Sequence, residues 1–141
     1  MWLNLGVGSL MICGTIFIHV AGLLALSRAT ALANISRKGR LSRVLLLTVV
    51  VFGLFAIVGL EIWLWAFTYW ALRVAETFEA ALYLSTITFS TVGYGDIIPA
   101  ANWRLLAALE GVTGFLIIGW STAYLVTAST RIGPFRSGDH F

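Results

Sequence analysis

Charge is what this sequence has least of. Only 11% of its 141 residues are charged, against 60% that are hydrophobic. A soluble domain carries about 25% charged residues, so an ordinary water-soluble fold is excluded and an integral membrane protein is expected. Cysteine is nearly absent as well. Cys13 stands alone in an apolar run, which rules out a disulfide within the chain and a thiolate metal set; it reads as a small hydrophobe facing lipid or protein. His19 and His140 are the only histidines. One lies in an apolar run and the other in the tail, so no Ser-His-Asp or Cys-His set can converge, and an enzyme is not expected. The net charge of +3 does not indicate a nucleic-acid partner, because the basic residues sit at the ends of apolar segments rather than on one amphipathic face. Prolines are limited to Pro99 and Pro134, both outside the long apolar runs.

Those runs are what the chain does have. A helix spanning a bilayer needs about 20 mostly apolar residues, and three segments qualify. They run from Leu3 to Leu26, from Val44 to Leu72 and from Asn102 to Ala128. A fourth apolar stretch, Thr77 to Ser90, is too short to span and reads as a re-entrant helix. The fold expected is an all-α membrane protein with three transmembrane helices, a re-entrant helix and a loop. Residues 1–27 form the first helix and 28–43 a basic cytoplasmic linker. Residues 44–130 form a unit of outer helix (44–72), short helix (77–90), loop (91–96) and inner helix (102–128), and 131–141 a short tail.

The basic residues set the orientation. Arg28, Arg37, Lys38, Arg40 and Arg43 lie between the first two spans, and Arg131 and Arg136 follow the third. Excess Lys and Arg mark cytoplasmic segments. The linker and C-terminus are therefore placed inside, and the N-terminus and the Glu76–Asp96 connection outside, in a multi-pass protein of the cell membrane. Trp63, Trp65, Tyr69 and Trp70 sit where an interfacial aromatic belt would. The stretch Ala29-Thr30-Ala31-Leu32-Ala33 resembles a signal-peptide cleavage site, but no basic residue precedes the first apolar run and several follow it, which reverses the secretory pattern.

The loop Thr91-Val92-Gly93-Tyr94-Gly95-Asp96 meets the demands of an ion filter. An ion entering a narrow pore must exchange water for other oxygens, and backbone carbonyls can supply them. Gly93 and Gly95 can take positive φ, which turns successive carbonyls to one side. Val92 and Tyr94 would point away from the axis and brace the loop. The Thr91 hydroxyl adds an oxygen at one end and Asp96 a negative charge at the mouth. A lone Gly-Tyr-Gly would be a weak sign, but six such residues behind a short apolar helix, between two spans, are specific.

This part of the chain resembles the pore module of the potassium channel superfamily, most closely the bacterial pore-only channels. The resemblance covers Val44 to Thr130 and centres on Thr88-Phe89-Ser90-Thr91-Val92-Gly93-Tyr94-Gly95-Asp96, with Pro99 and Trp103-Arg104 beyond it. It implies passive potassium conduction through four identical subunits, with K+ held by Thr91, Val92, Gly93, Tyr94 and Gly95 and no soluble partner evident. It also implies a hinge at Gly114, although close helix packing is an equal reading there and the favoured one for Gly119. Phe115, Ile118, Thr122 and Val126 share one helix face and by resemblance line the cavity. Two departures stand out. Many relatives carry a bracing tryptophan where this chain has Leu84, and some a glutamate where it has Ile87, so Asp96 is expected to lack two usual partners.

No arginine ladder marks the first span as a voltage sensor, and the dozen or so residues after the inner helix are too few for a ligand-binding domain. The first span is expected to pack as a scaffold. Glu61 and Glu110 are intramembrane acids. At 1.5 Å per residue they lie roughly 16 and 12 Å from the loop-side ends of their helices, both behind the filter. Hydrogen bonds to pore-helix hydroxyls such as Thr86 or Thr88, or a proton-sensitive gate, are the two readings. His19 reads as a packing histidine. A poorly selective cation channel and a non-conducting assembly subunit are the rival functions; the intact Tyr94 and filter glycines oppose both.

Overall fold

A computed structural model describes residues 1–34 and 40–132. These form α1 (Trp2–Asn34), α2 (Arg40–Ala71), α3 (Phe78–Phe89) and α4 (Arg104–Ile132), with no strand among the described residues. α1, α2 and α4 are each long and apolar enough to cross a membrane. The 12 residues of α3 are not, since a span needs about 17 or more. The chain is a multi-pass membrane protein. All three spans run past their expected limits at the basic end. α1 continues through 28–34 and α2 starts at Arg40, so much of the segment read as a linker is helical. Nothing in Ser27 to Asn34 breaks a helix; no Gly or Pro occurs there. The tail residues Arg131 and Ile132 belong to α4; residues 35–39 and 133–141, with Pro134 and His140, lie outside the described residues.

A ladder of contacts at four-residue spacing holds α1 antiparallel to α2. Thr68 Oγ1 lies 3.0 Å from Met11 Sδ, Trp65 Nε1 donates to Thr15 Oγ1 at 3.0 Å, and His19 Nδ1 meets Glu61 Oε1 at 3.0 Å. Residues 11, 15 and 19 stack on one helix face, and small residues let the backbones close in between. A Cβ at Gly22 would fall 2.6 Å from the Ile57 side chain, and one at Gly53 would fall 2.6 Å from that of Leu26. α1 also reaches α4. Asn4 Nδ2 donates to the Asn102 carbonyl at 2.6 Å, and the His19 and Trp120 rings lie 5.2 Å apart. α1 is thus fastened along its length to the other two spans.

The aromatic belt needs correcting. Trp63 and Trp70 are 48% and 50% exposed, but Trp65 and Tyr69 are fully buried. Positions 65 and 69 fall on one face, which packs against Met11, Ala81, Leu84 and Leu106, while 63, 67 and 70 fall on the other. The outward group is Trp63, Phe67 and Trp70, joined by Phe78 of α3.

Candidate functional site

α3 is built to aim the loop that follows it. Thr77 caps its N-terminus by accepting from the Ala80 N–H at 3.1 Å, and Glu79 in the first turn suits the positive helix end. Ala81, Leu84, Ser85, Ile87 and Phe89 are buried. At the other end the Ser90 N–H bonds to the Thr86 carbonyl at 3.1 Å and that of Thr91 to Thr88 at 3.0 Å. The Gly93 N–H turns back to the Ile87 carbonyl at 3.0 Å. The loop is therefore tied to the helix that precedes it.

The backbone of the loop alternates in handedness. Thr91, Gly93 and Gly95 have φ of 61, 53 and 79°, while Val92 and Tyr94 do not take positive φ. In an ordinary strand successive carbonyls point to opposite sides; reversing every second residue brings them to the same side. Two of the reversed positions are glycines, where this costs little. A Cβ at Gly93 or Gly95 would meet no atom within 4 Å in the single chain, so the demand for glycine comes from φ and not from space. Val92 and Tyr94 are 51% and 74% exposed, so much of each side chain is left uncovered by its own chain.

Asp96 has a partner after all. The Tyr83 hydroxyl donates to its Oδ2 at 2.6 Å, and the Ile97 N–H to its Oδ1 at 3.1 Å. The Tyr83 hydrogen bond, above all, holds the Asp96 carboxyl below its usual range. Expectation attended to Leu84 and Ile87, but both are buried in the chain's own core; the exposed neighbour Tyr83 does the bridging. A phenol one residue from the expected tryptophan was the signal available. Beyond the loop, the Trp103 N–H bonds to the Ala100 carbonyl at 2.8 Å and Arg104 Nε to that of Pro99 at 3.4 Å, closing the turn into α4.

The two intramembrane acids are separated by function of place. Glu110 is fully buried behind α3. It accepts from the Tyr69 hydroxyl of α2 and from Ser85 Oγ of α3 at 2.6 Å. Ser85 Oγ also lies 2.9 Å from the Ile62 carbonyl, so one hydroxyl proton serves acceptors on two helices. The partner on the pore helix is Ser85 rather than Thr86 or Thr88; Thr86 spends its hydroxyl on the Leu82 carbonyl at 2.7 Å. Glu61, also fully buried, faces α1 and pairs with His19. Its Oε2 and His19 Nε2 have no partner. Sequence spacing could place both acids at one depth, but not assign Glu61 to the contact with α1 and Glu110 to the seam of α2, α3 and α4.

Gly114 and Gly119 also part company. A Cβ at Gly114 would fall 2.0 Å from the Phe89 carbonyl oxygen, so α4 crosses the end of α3 there at backbone contact. At Gly119 it would meet nothing within 4 Å in the single chain, so no helix of its own chain packs against it. Phe115 and Val126 are 68% and 58% exposed, and Ile118 37%. Thr122 is exposed too, so all four residues of the expected cavity face are open on the single chain.

Three helices able to span a membrane, a short helix packed between two of them and a loop alternating in the sign of φ point to a membrane channel subunit as the class. Comparison with known proteins gives the family. The model of a family described as "Ion channel" matches residues 44–131, more than half of the chain, and the chain belongs to that family. The intermediate conductance calcium-activated potassium channel protein 4 of Rattus norvegicus is 34% identical over 92 residues, which cover 59% of this chain and 21% of that protein. The chain therefore spans about a fifth of this relative's length. No solved structure matches. The resemblance to the potassium channel superfamily is borne out, and the chain is a channel protein rather than an enzyme. The matched region begins in α2, so α1 lies outside it.

Proposed function

We propose that this chain is one of four identical subunits of a potassium-selective channel of the cell membrane. In this reading Thr91, Val92, Gly93, Tyr94 and Gly95 supply the K+ oxygens, and Asp96 sits at the outer mouth. The observation that carries it is the alternation of positive φ at Thr91, Gly93 and Gly95. One such loop offers carbonyls on a single side of an ion. A closed ring around the ion needs several copies, and a cyclic assembly supplies them. Exposure of Val92 and Tyr94 supports the same reading, because neighbouring copies would cover the surface their own chain leaves open. The open face of Phe115, Ile118, Thr122 and Val126 then lines the cavity, below the negative C-terminal end of α3. α3 with its loop is re-entrant, and the basic end of the bundle faces the cytoplasm.

Flux into liposomes tests this. The purified chain should pass K+ and exclude Na+, and Gly93→Ala should abolish K+ flux, since a Cβ disfavours positive φ. Wild-type K+ flux from the folded variant, or equal K+ and Na+ flux from the parent, would overturn the assignment.

A further inference from the structure

At the end of the bundle remote from the filter loop, α1 and α4 leave a groove of about 240 Å³ between them. Ser27, Thr30 and Ala31 line one side and Tyr124, Thr127 and Arg131 the other. The space far exceeds the roughly 30 Å³ that one water occupies in the liquid. Its lining offers both kinds of hydrogen-bonding partner. The Arg131 guanidinium and the Tyr124 hydroxyl make no ion pair or hydrogen bond with another described side chain. The hydroxyl protons of Ser27, Thr30 and Thr127 go to their own helices, to the carbonyls of Leu24, Leu26 and Ala123, each at 2.9 Å. Their oxygens remain as acceptors.

We propose that this groove binds the headgroup of an anionic phospholipid bearing free hydroxyls. The phosphate sits on Arg131 and Tyr124, and the headgroup hydroxyls donate to the oxygens of Ser27, Thr30 and Thr127. Three observations favour a lipid over a soluble phosphate. Ala31 and Ala128 add apolar surface to the lining, and Ala128 belongs to a buried apolar cluster with Leu23 and Leu26, against which Tyr124 and Leu125 pack. Leu24, 52% exposed, continues that surface toward the bilayer centre, where an acyl chain would lie. Finally, all nine Lys and Arg residues except Arg73 and Arg104 flank this end in sequence, and of the six acids only Asp139 does. Such a cluster attracts anionic lipid, and the groove gives it one place to be held. The site touches α4 on the side away from Phe115, Ile118, Thr122 and Val126, so an occupant bears on the helix that lines the proposed pore.

The proposal rests on the chain spanning a bilayer as a channel subunit, but not on K+ selectivity, and it is read by binding without flux, so the two can fail separately. The full chain is purified from bilayers holding equal phosphatidylglycerol and phosphatidylcholine, and retained lipid is counted by native mass spectrometry. The wild type should retain phosphatidylglycerol at least fivefold over phosphatidylcholine, and excess glycerol 1-phosphate should not displace it. Arg131→Gln should remove that preference. Ala31→Phe, which fills the groove and keeps every charge, should remove it as well. Arg28→Gln, on the same helix end but outside the lining, should keep it. An unselective wild type sinks the proposal without any variant. An equal loss in Arg28→Gln and Arg131→Gln would show diffuse surface charge instead of a site. Displacement by glycerol 1-phosphate would show a soluble phosphate ligand.

Discussion

Two tyrosine–carboxylate pairs brace the short helix α3, one on each side. Tyr69 donates to Glu110 in the buried seam of α2, α3 and α4. Tyr83 donates to Asp96 at the exposed loop. The donor and acceptor types are the same, and the surroundings differ. In the seam no water can replace a lost partner, so the buried pair fixes the position of α3. At the loop water competes for both groups, so the exposed pair orients Asp96 without holding the fold together. A second buried contact, His19–Glu61, lies between these cases: it is fully enclosed, but each partner keeps one atom unbonded.

The seam exists only while α3 and α4 touch, and Gly114 permits that contact. Gly114→Ala would place a methyl 2.0 Å from the Phe89 carbonyl oxygen. Backbone cannot yield as a side chain can. This variant should show the largest loss, about 3 kcal/mol at the upper end of overpacking costs, read as a lower midpoint of thermal unfolding in detergent. Gly119→Ala, with open space around it, should change that midpoint little.

Breaking the buried pair comes next. Tyr69→Phe leaves a Glu110 oxygen enclosed without its donor, which costs about 1–3 kcal/mol. Unfolding of Tyr69→Phe and Ser85→Ala by chemical denaturation should show both destabilised, with less than additive losses in the double variant, because they share Glu110. Additive losses would mean that the three residues do not act as one network.

The His19–Glu61 contact should show a smaller effect and a different pattern. Glu61→Leu alone strands His19 in an apolar seam. Replacing both partners by apolar residues removes the need for either, and such swaps are often near neutral. The double variant His19→Leu/Glu61→Leu should therefore be more stable than Glu61→Leu alone. Contacts of this kind between membrane helices average about 0.6 kcal/mol in double-mutant cycles, so a coupling near that size is expected.

These contrasts show how far the sequence could be read. Apolar run length located all the spans, because the bilayer imposes it on every residue. The loop was legible because Gly93 and Gly95 answer a backbone demand that few other residues meet. Helix ends at the basic side were not legible; charge marks where a span leaves the bilayer, but a helix can continue past the first charge, as α1 runs beyond Arg28 to Asn34. Nor was the face of α2 on which Glu61 sits. Its neighbours Trp65 and Tyr69 are apolar in type and read as belt residues, and only the packing of α1 on one side and α3 on the other separates their roles.

The smallest effect is expected at the exposed pair, and pH is its readout. The Tyr83 hydrogen bond favours the ionised form of Asp96 and lowers its pKa from the ordinary 3.8. A carboxyl held low in the folded protein contributes stability that is present above its unfolded value and disappears as pH falls through its folded one. The Tyr83–Asp96 contact should thus be intact at neutral pH and weaken only in acid, below the usual carboxylate range. Tyr83→Phe removes the donor and keeps the ring. Its Asp96 should titrate at a higher pH than in the parent, followed by the carboxyl carbon resonance in labelled protein in nanodiscs. Thermal stability at pH 7 should barely move, because water takes over the freed oxygen. An unshifted Asp96 titration would show that the Ile97 N–H and the loop geometry hold this carboxylate without Tyr83. A large loss of stability at pH 7 would erase the contrast with the buried pair and place Tyr83 in the same class as Tyr69.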